Sequence, residues 1–275
     1  MPFEPAISTW TFLRMDLGMS LEAAAEAGFE VVEVWAEGGH LDPRRAGPSE
    51  ARRARALCRK LGLTVFSLHA PFGEGANIGD FDEQRRREAV KVVGEALYYA
   101  SLMGAGFVVL HPGTWEGSDD PEAHIEFRQR VLASLTKLSE RAEKLGVKLL
   151  VENMVPTGRR FRLGARAEDL LWLCKRVRGL GVCFDAGHAN IGGGSPTSWL
   201  RALGGERIKS LHLNDNDGRA DLHLVPGKGS IDWASFMEVL ECVGYEGPLL
   251  FEVQGGEDPL EMAREALRWL RSWRG

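Results

Sequence analysis

The sequence predicts one α/β domain over residues 1–275, a closed (β/α)8 TIM barrel, and three observations carry that expectation. A pattern of amphipathic stretch, glycine and apolar run recurs at AEAGFEVVEV, RKLGLTVFSL, LMGAGFVVL, EKLGVKLLV, RGLGVCF and CVGYEGPLLF. Its spacing of roughly 35 to 40 residues is that of one βα unit. The apolar runs are continuous rather than alternating, as parallel strands covered on both faces require. The length of 275 residues with 44% hydrophobic content suits a single core that buries about three quarters of the unfolded surface. An open, doubly wound sheet is the competing architecture.

In chain order, strands are expected near 6–10, 29–34, 64–69, 106–111, 147–152, 181–185, 207–212 and 248–252. Helices are expected near 20–27, 49–61, 82–103, 121–145, 166–178, 196–203, 232–243 and 258–273. Ser20, Asp82, Asp120 and Asp232 stand where a side-chain oxygen can cap the first free N–H groups, and Pro121 fits a first helical turn. Gly28, Gly62, Gly104, Gly146, Gly181 and Gly244 stand where a helix ends and the chain turns into a strand, a position that favours a left-handed residue. No linker or low-complexity tract divides the chain.

The net charge of −5, from 34 basic and 39 acidic residues, disfavours a nucleic-acid partner held mainly by charge without excluding one. No stretch approaches the roughly 18 apolar residues of a membrane span, so no membrane partner is expected. The amino terminus MPFEPAISTW lacks the basic and long apolar regions of a secretory signal. Cys58, Cys174, Cys183 and Cys242 are far apart and fit buried free thiols in a reducing compartment, so the expected location is cytoplasmic. A homo-oligomer is compatible with the sequence, which leaves the state open.

The chemistry-bearing residues collect at strand ends. His69 closes LTVFSLH, His111 closes GFVVLH and His212 closes IKSLH. Glu152 ends VKLLVE, Asp185 ends GVCFD and Glu252 ends GPLLFE. His188 follows Asp185 by three residues, and Asp221 and His223 lie shortly after His212. Closure of a barrel brings all nine to its carboxyl face, where such folds build their active sites. Five imidazoles and four carboxylates in one mouth call for a cation, and the mixed donor set suits Zn, Mn or Co better than Ca or Mg. Glu152, Asp185, His212 and Glu252 form the inner set. The outer set, His69, His111, His188, Asp221 and His223, serves either further metal or substrate hydroxyls. His40 and His124 are expected to face solvent.

Trp10, Trp35, Phe72 and Trp115 follow strand ends and can offer platforms to a sugar ring or simply cap the core. Arg159, Arg160 and Arg162 fall after the fifth strand, where they suit a substrate phosphate or carboxylate or form a solvated cluster. Arg85, Arg86 and Arg87 are expected on a solvated helix face.

The motifs LHAPFG (68–73), VLHPGT (109–114), VEN (151–153), FDAGHA (184–189), HLNDNDG (212–218), DLHLVPGKGSIDW (221–233) and FEV (251–253) resemble those of the xylose isomerase-like barrel superfamily. That superfamily includes sugar phosphate isomerases and epimerases, inosose dehydratases and endonuclease IV. The motifs span nearly the whole chain and keep the family's order. The resemblance implies that Glu152, Asp185, His212 and Glu252 hold one divalent metal and that Glu152 and Glu252 form the acid–base pair. The expected function is a metal-dependent isomerase or epimerase of a small-molecule sugar or sugar phosphate. The alternatives are an endonuclease IV-type phosphodiesterase with several zinc ions, in which all nine donors bind metal, and an inosose-type dehydratase. The early segment around Glu33 and Trp35 resembles the sugar enzymes, and no DNA-penetrating loop is recognisable.

Overall fold

The computed structural model describes residues 3–115, 121–156 and 161–273. Eight parallel strands follow one another: β1 (Pro5–Ser8), β2 (Val31–Trp35), β3 (Thr64–His69), β4 (Phe107–Leu110), β5 (Lys148–Glu152), β6 (Gly181–Asp185), β7 (Ile208–His212) and β8 (Leu249–Phe251). From β1 to β7 each strand pairs with the next, and β8 pairs back with β1. Between β7 and β8 the seam closes just past the strand end, through Leu213 N–H to Leu250 O at 2.8 Å and Glu252 N–H to Leu213 O at 3.2 Å. The result is a nearly closed TIM barrel rather than an open sheet.

The outer ring comprises α1 (Leu17–Ala27), α2 (Pro48–Leu61), α3 (Glu83–Met103), α4 (Pro121–Leu145), α5 (Ala167–Arg176), α6 (Pro196–Leu203), α7 (Trp233–Cys242) and α8 (Pro259–Ser272). Asp82 and Asp232 cap α3 and α7 as expected, accepting from the backbone N–H of Arg85 and Ser235. Asp16 caps α1 in place of Ser20, its Oδ1 accepting from Met19 N–H. Ser20 is buried within the helix, and its Oγ donates to Asp16 O. Asp120 lies outside the described residues. Five of the six turn glycines are left-handed; Gly181 is the exception. It opens β6, and a Cβ there would come within 2.7 Å of Leu150 Cδ2, so close packing fixes it instead. Among the described residues no helix is long and apolar enough to cross a membrane.

Most of the apolar core lies between strands and helices. Two small clusters, Ala6–Val31–Leu250 with Phe66 and Val109–Leu150–Cys183 with Phe107, pack separately from it. The Phe66 and Phe107 rings meet at 4.9 Å and help fill the barrel interior, which in this architecture is packed rather than a pore. Parallel register then aligns the strand ends above them: Trp35 stands beside His69, and Asp185 beside His212. Cys58 and Cys183 are buried free thiols as expected, Cys174 is half-buried, and Cys242 is exposed because it ends α7.

Candidate metal centre

Strand ends and the segments that follow them deliver nine donors in three groups. Donor atoms of Glu152, Asp185, His212 and Glu252 lie within 4.8 Å of one another; so do those of His69, His111 and Glu152, and those of His188, Asp221 and His223. Glu152 belongs to two groups. His188 is carried by a short helix, Ala186–Asn190, whose cap is Asp185: Asp185 Oδ1 accepts the His188 N–H at 2.6 Å. Asp221 and His223 lie on the long loop after β7. There His223 adopts a left-handed φ of 46°, uncommon for a residue with a Cβ.

Backbone carbonyls aim most of the imidazoles. A carbonyl oxygen only accepts, so Nδ1–H donates from His69 to Ala70 O (2.9 Å), from His188 to Asn153 O (2.8 Å) and from His223 to Glu252 O (2.9 Å). Each Nε2 is thereby turned to a carboxylate: His69 to Glu152 at 3.1 Å, His188 to Asp221 at 3.2 Å and His223 to Asp221 at 3.4 Å. His111 Nε2 is 3.2 Å from Glu152. His212 is reversed. Its Nε2 faces Glu33 at 3.2 Å, and its Nδ1 lies 3.3 Å from Glu152 and 3.6 Å from Glu252. Asp185 is held by Asn214 Nδ2–H to Oδ2 (2.8 Å), while the Asn153 amide brackets the Asp185 backbone from both sides.

Burial and crowding push these groups apart in proton affinity. Burial raises Glu252 to about 7, against the opposing pull of His212 and His223. Burial also acts to raise Glu152, but His212 and His111 outweigh it and hold that carboxyl well below its usual range. Burial alone would depress His188 and His223. Asp185 and Asp221 lift His188 to about 10, and Asp221 with Glu252 lifts His223 to about 9. His111, lacking a second carboxylate, is driven by burial down to about 4.

The residues fit a divalent cation. Glu33, Glu152, Asp185 and Glu252 are buried together at the barrel end, an arrangement that costs heavily unless positive charge offsets it. Among the described residues, Glu252 Oε1 and Asn214 Oδ1 are buried with no hydrogen-bond partner, so acceptor capacity remains for a ligand. The set combines imidazole and carboxylate donors, which divalent metal ions accept.

Seven of the nine donors line a cavity of about 1330 Å³ that also takes in Trp10, Trp35, Phe72, Trp115, Arg85 and Arg162; Asp185 and His212 lie buried behind its wall. Three aromatics pack against outer imidazoles: Trp10 on His223 (4.4 Å), Trp35 on His69 (4.3 Å, stacked) and Phe72 beside His111 (4.4 Å). They buttress the donors as well as walling the cavity. Trp115 stands apart, against Phe81 and His124. Arg159 and Arg160 lie outside the described residues. Arg85 and Arg87 lie on a solvated face as expected, with side chains 69% and 76% exposed, and Arg85 pairs with Asp80 at the cavity rim; Arg86 departs from it, reaching toward Ser134 with its side chain 13% exposed.

Three features escaped the sequence. Glu33 is fully buried beneath His212; an acid in the middle of an apolar run (VVEVW) was the available signal. Asp215 anchors the loop carrying Asp221 and His223, accepting from Asn216 N–H, Ile231 N–H, Gly227 N–H and Trp233 Nε1–H. His40, expected to face solvent, is buried, with Nδ1 3.2 Å from Thr9 Oγ1 and Nε2 3.1 Å from Met15 O. It fastens the loop after β2 to the start of the chain.

Among known proteins, endonuclease 4 of Thermus thermophilus is 31% identical over 224 residues, covering 76% of this chain and 77% of its own. Fructoselysine 3-epimerase of Escherichia coli O157:H7 is 24% identical over 265 residues, 94% of each chain. The crystal structure of a D-tagatose 3-epimerase-like protein superposes with a TM-score of 0.83 at 26% identity, covering 99% of this chain and 100% of the other. The family model for the xylose isomerase-like TIM barrel matches residues 21–273. With eight parallel strands and the strand-end donors in that order, the chain belongs to the xylose isomerase-like TIM barrel family.

Proposed function

We propose that this protein is a divalent-metal-dependent isomerase or epimerase acting on a sugar, with Glu152 and Glu252 as its proton-transfer pair. One observation carries the reading: the buried carboxyls of Glu152 and Glu252 bring oxygens within 4.8 Å of one another beside Asp185 and His212 at the cavity floor, and in the metal-free protein their proton affinities are driven in opposite directions. Paired carboxyls with separated proton affinities are the arrangement that acid–base catalysis at neutral pH requires. Glu152, Asp185, His212 and Glu252 would hold the metal. When bound, it would polarise the substrate carbonyl and neighbouring hydroxyl, acidifying the C–H between them.

The chain's own residues supply the rest. The Glu152 carboxylate takes the proton from the carbon beside the carbonyl, leaving an enediolate, and protonated Glu252 returns a proton to that carbon from the other side or to the neighbouring carbon. Exchange with solvent or the reverse turnover resets the pair. His188 is placed to donate to a substrate oxygen, and Trp10, Trp35 and Phe72 exclude water from the floor. The expected location is the cytoplasm, on the strength of the free thiols. A dehydratase would use the same pair to expel a hydroxyl.

A phosphodiesterase of the endonuclease type is the second reading, favoured by three adjacent donor groups, two of which share Glu152. One feature weighs against it: the chain carries a net charge of −5, which a polyanionic duplex held mainly by charge does not favour. Metal-loaded protein given ketoses in D2O, and separately an abasic-site duplex, distinguishes the two: carbon-bound deuterium supports the epimerase, efficient incision the rival.

A further inference from the structure

Glu33 belongs to none of the three donor groups, yet it is fully buried at the barrel end. Its Oε1 faces His212 Nε2 at 3.2 Å, and its Oε2 accepts from Ser67 Oγ–H at 2.7 Å. The strand is irregular at this residue. The β2–β3 register shifts between Val32 and Glu33, which pairs Glu33 with Ser67; such bulges re-aim a side chain. A pure packing role would be better filled by an apolar side chain, because a buried carboxylate weakens a fold unless it is used.

We propose that Glu33, steadied by Ser67, is a positioning residue that sets the metal affinity of the Glu152–Asp185–His212–Glu252 group. A carboxylate accepts and does not donate, so it holds the ring proton on His212 Nε2. The lone pair of Nδ1 then points at Glu152, Asp185 and Glu252, the nearest oxygens being 3.3, 4.0 and 3.6 Å away. The opposite tautomer would aim an N–H at the cation and remove His212 as a ligand. The outer histidines need no such partner, since backbone carbonyls orient His69, His188 and His223. His212 alone among these four is oriented by a side chain, so it can be tested by mutation. The inference rests on the metal-centre reading and is separable from it.

The test uses metal-free full-length protein titrated with Zn2+ against a chromophoric chelator, with 15N-histidine NMR on the same samples. Glu33→Gln should weaken one class of site by about 10- to 100-fold and, in the Zn2+-saturated samples, shift the His212 Nε2 resonance as its charged acceptor is replaced by a neutral amide. Ser67→Ala, the milder variant, should weaken the same site less and is the readout should Glu33→Gln not fold. Wild-type affinity and an unchanged His212 Nε2 resonance in a folded variant would overturn the proposal, leaving Glu33 a structural residue visible only in denaturation. Failure of the wild type to bind Zn2+ would instead reject the metal centre, and the proposal with it.

Discussion

Replacing Glu252 by Gln keeps the side chain's size and removes its charge, and the consequences for stability and for turnover run in opposite directions. In the metal-free protein, burial lifts this carboxyl from its ordinary 4.5 to about 7. A folded-state value above the unfolded one means that the native state binds the proton more tightly. The group is therefore neutral in its effect below the unfolded value and increasingly unfavourable as pH rises through the folded value. Fully ionised, it costs the native state about 3 kcal/mol. The Gln variant escapes that cost. Urea denaturation of metal-free protein should find it more stable than wild type by a figure of that order at about pH 8, with the gap closing toward about pH 4. Zn2+ or Mn2+ should shrink or reverse the gap, because Gln is the poorer ligand. Turnover should fall by about 100- to 10,000-fold, the usual worth of a positioned acid or base. A metal-free variant less stable than wild type at about pH 8, or one retaining full turnover, would refute the reasoning.

Further outcomes follow from the surrounding framework. Asp215→Ala leaves four N–H donors without their acceptor and should cost at least about 3 kcal/mol; urea denaturation reads the loss, and metal analysis should find the His188–Asp221–His223 group weakened. Trp35→Ala removes the ring stacked on His69 at 4.3 Å and should cost about 3–5 kcal/mol with a rise in KM, read by thermal melting and steady-state kinetics. His40 is held below its ordinary 6.5 by burial, so its contribution is complete above that value and is lost as pH falls beneath it. The stability advantage of wild type over His40→Gln should accordingly shrink between about pH 7.5 and about pH 5.5 in denaturation series.

The barrel was readable because its information is local. Each strand is a continuous apolar run such as VVEVW or KLLVE, six of the runs follow a glycine turn, and the strand-end position of His69, Glu152, Asp185 and His212 is set by sequence adjacency alone. The convergence of nine donors follows once the barrel closes. What escaped depends on partners far along the chain. His40 reads as a loop histidine because Thr9, Met15 and Ser20, which bury it, are 20 to 31 residues away. Glu33 reads as one acid in a strand until Ser67 and His212, on two other strands, are brought against it. Ser20 lost the cap to Asp16 because α1 begins a turn earlier, at Leu17. In sequence the aromatics suit sugar platforms or core caps; three of them also brace imidazoles, a relation that only side-chain packing reveals.

The central claim is proton transfer at carbon between Glu152 and Glu252. Its most direct test is NMR detection of deuterium exchange when metal-loaded protein is incubated with a panel of ketopentoses and ketohexoses in D2O. The account predicts metal-dependent deuterium incorporation at the carbon beside the carbonyl of at least one ketose, abolished by chelation and by Glu152→Gln. Unexchanged C–H bonds across the panel, together with incision of an abasic-site duplex by the same sample, would contradict it.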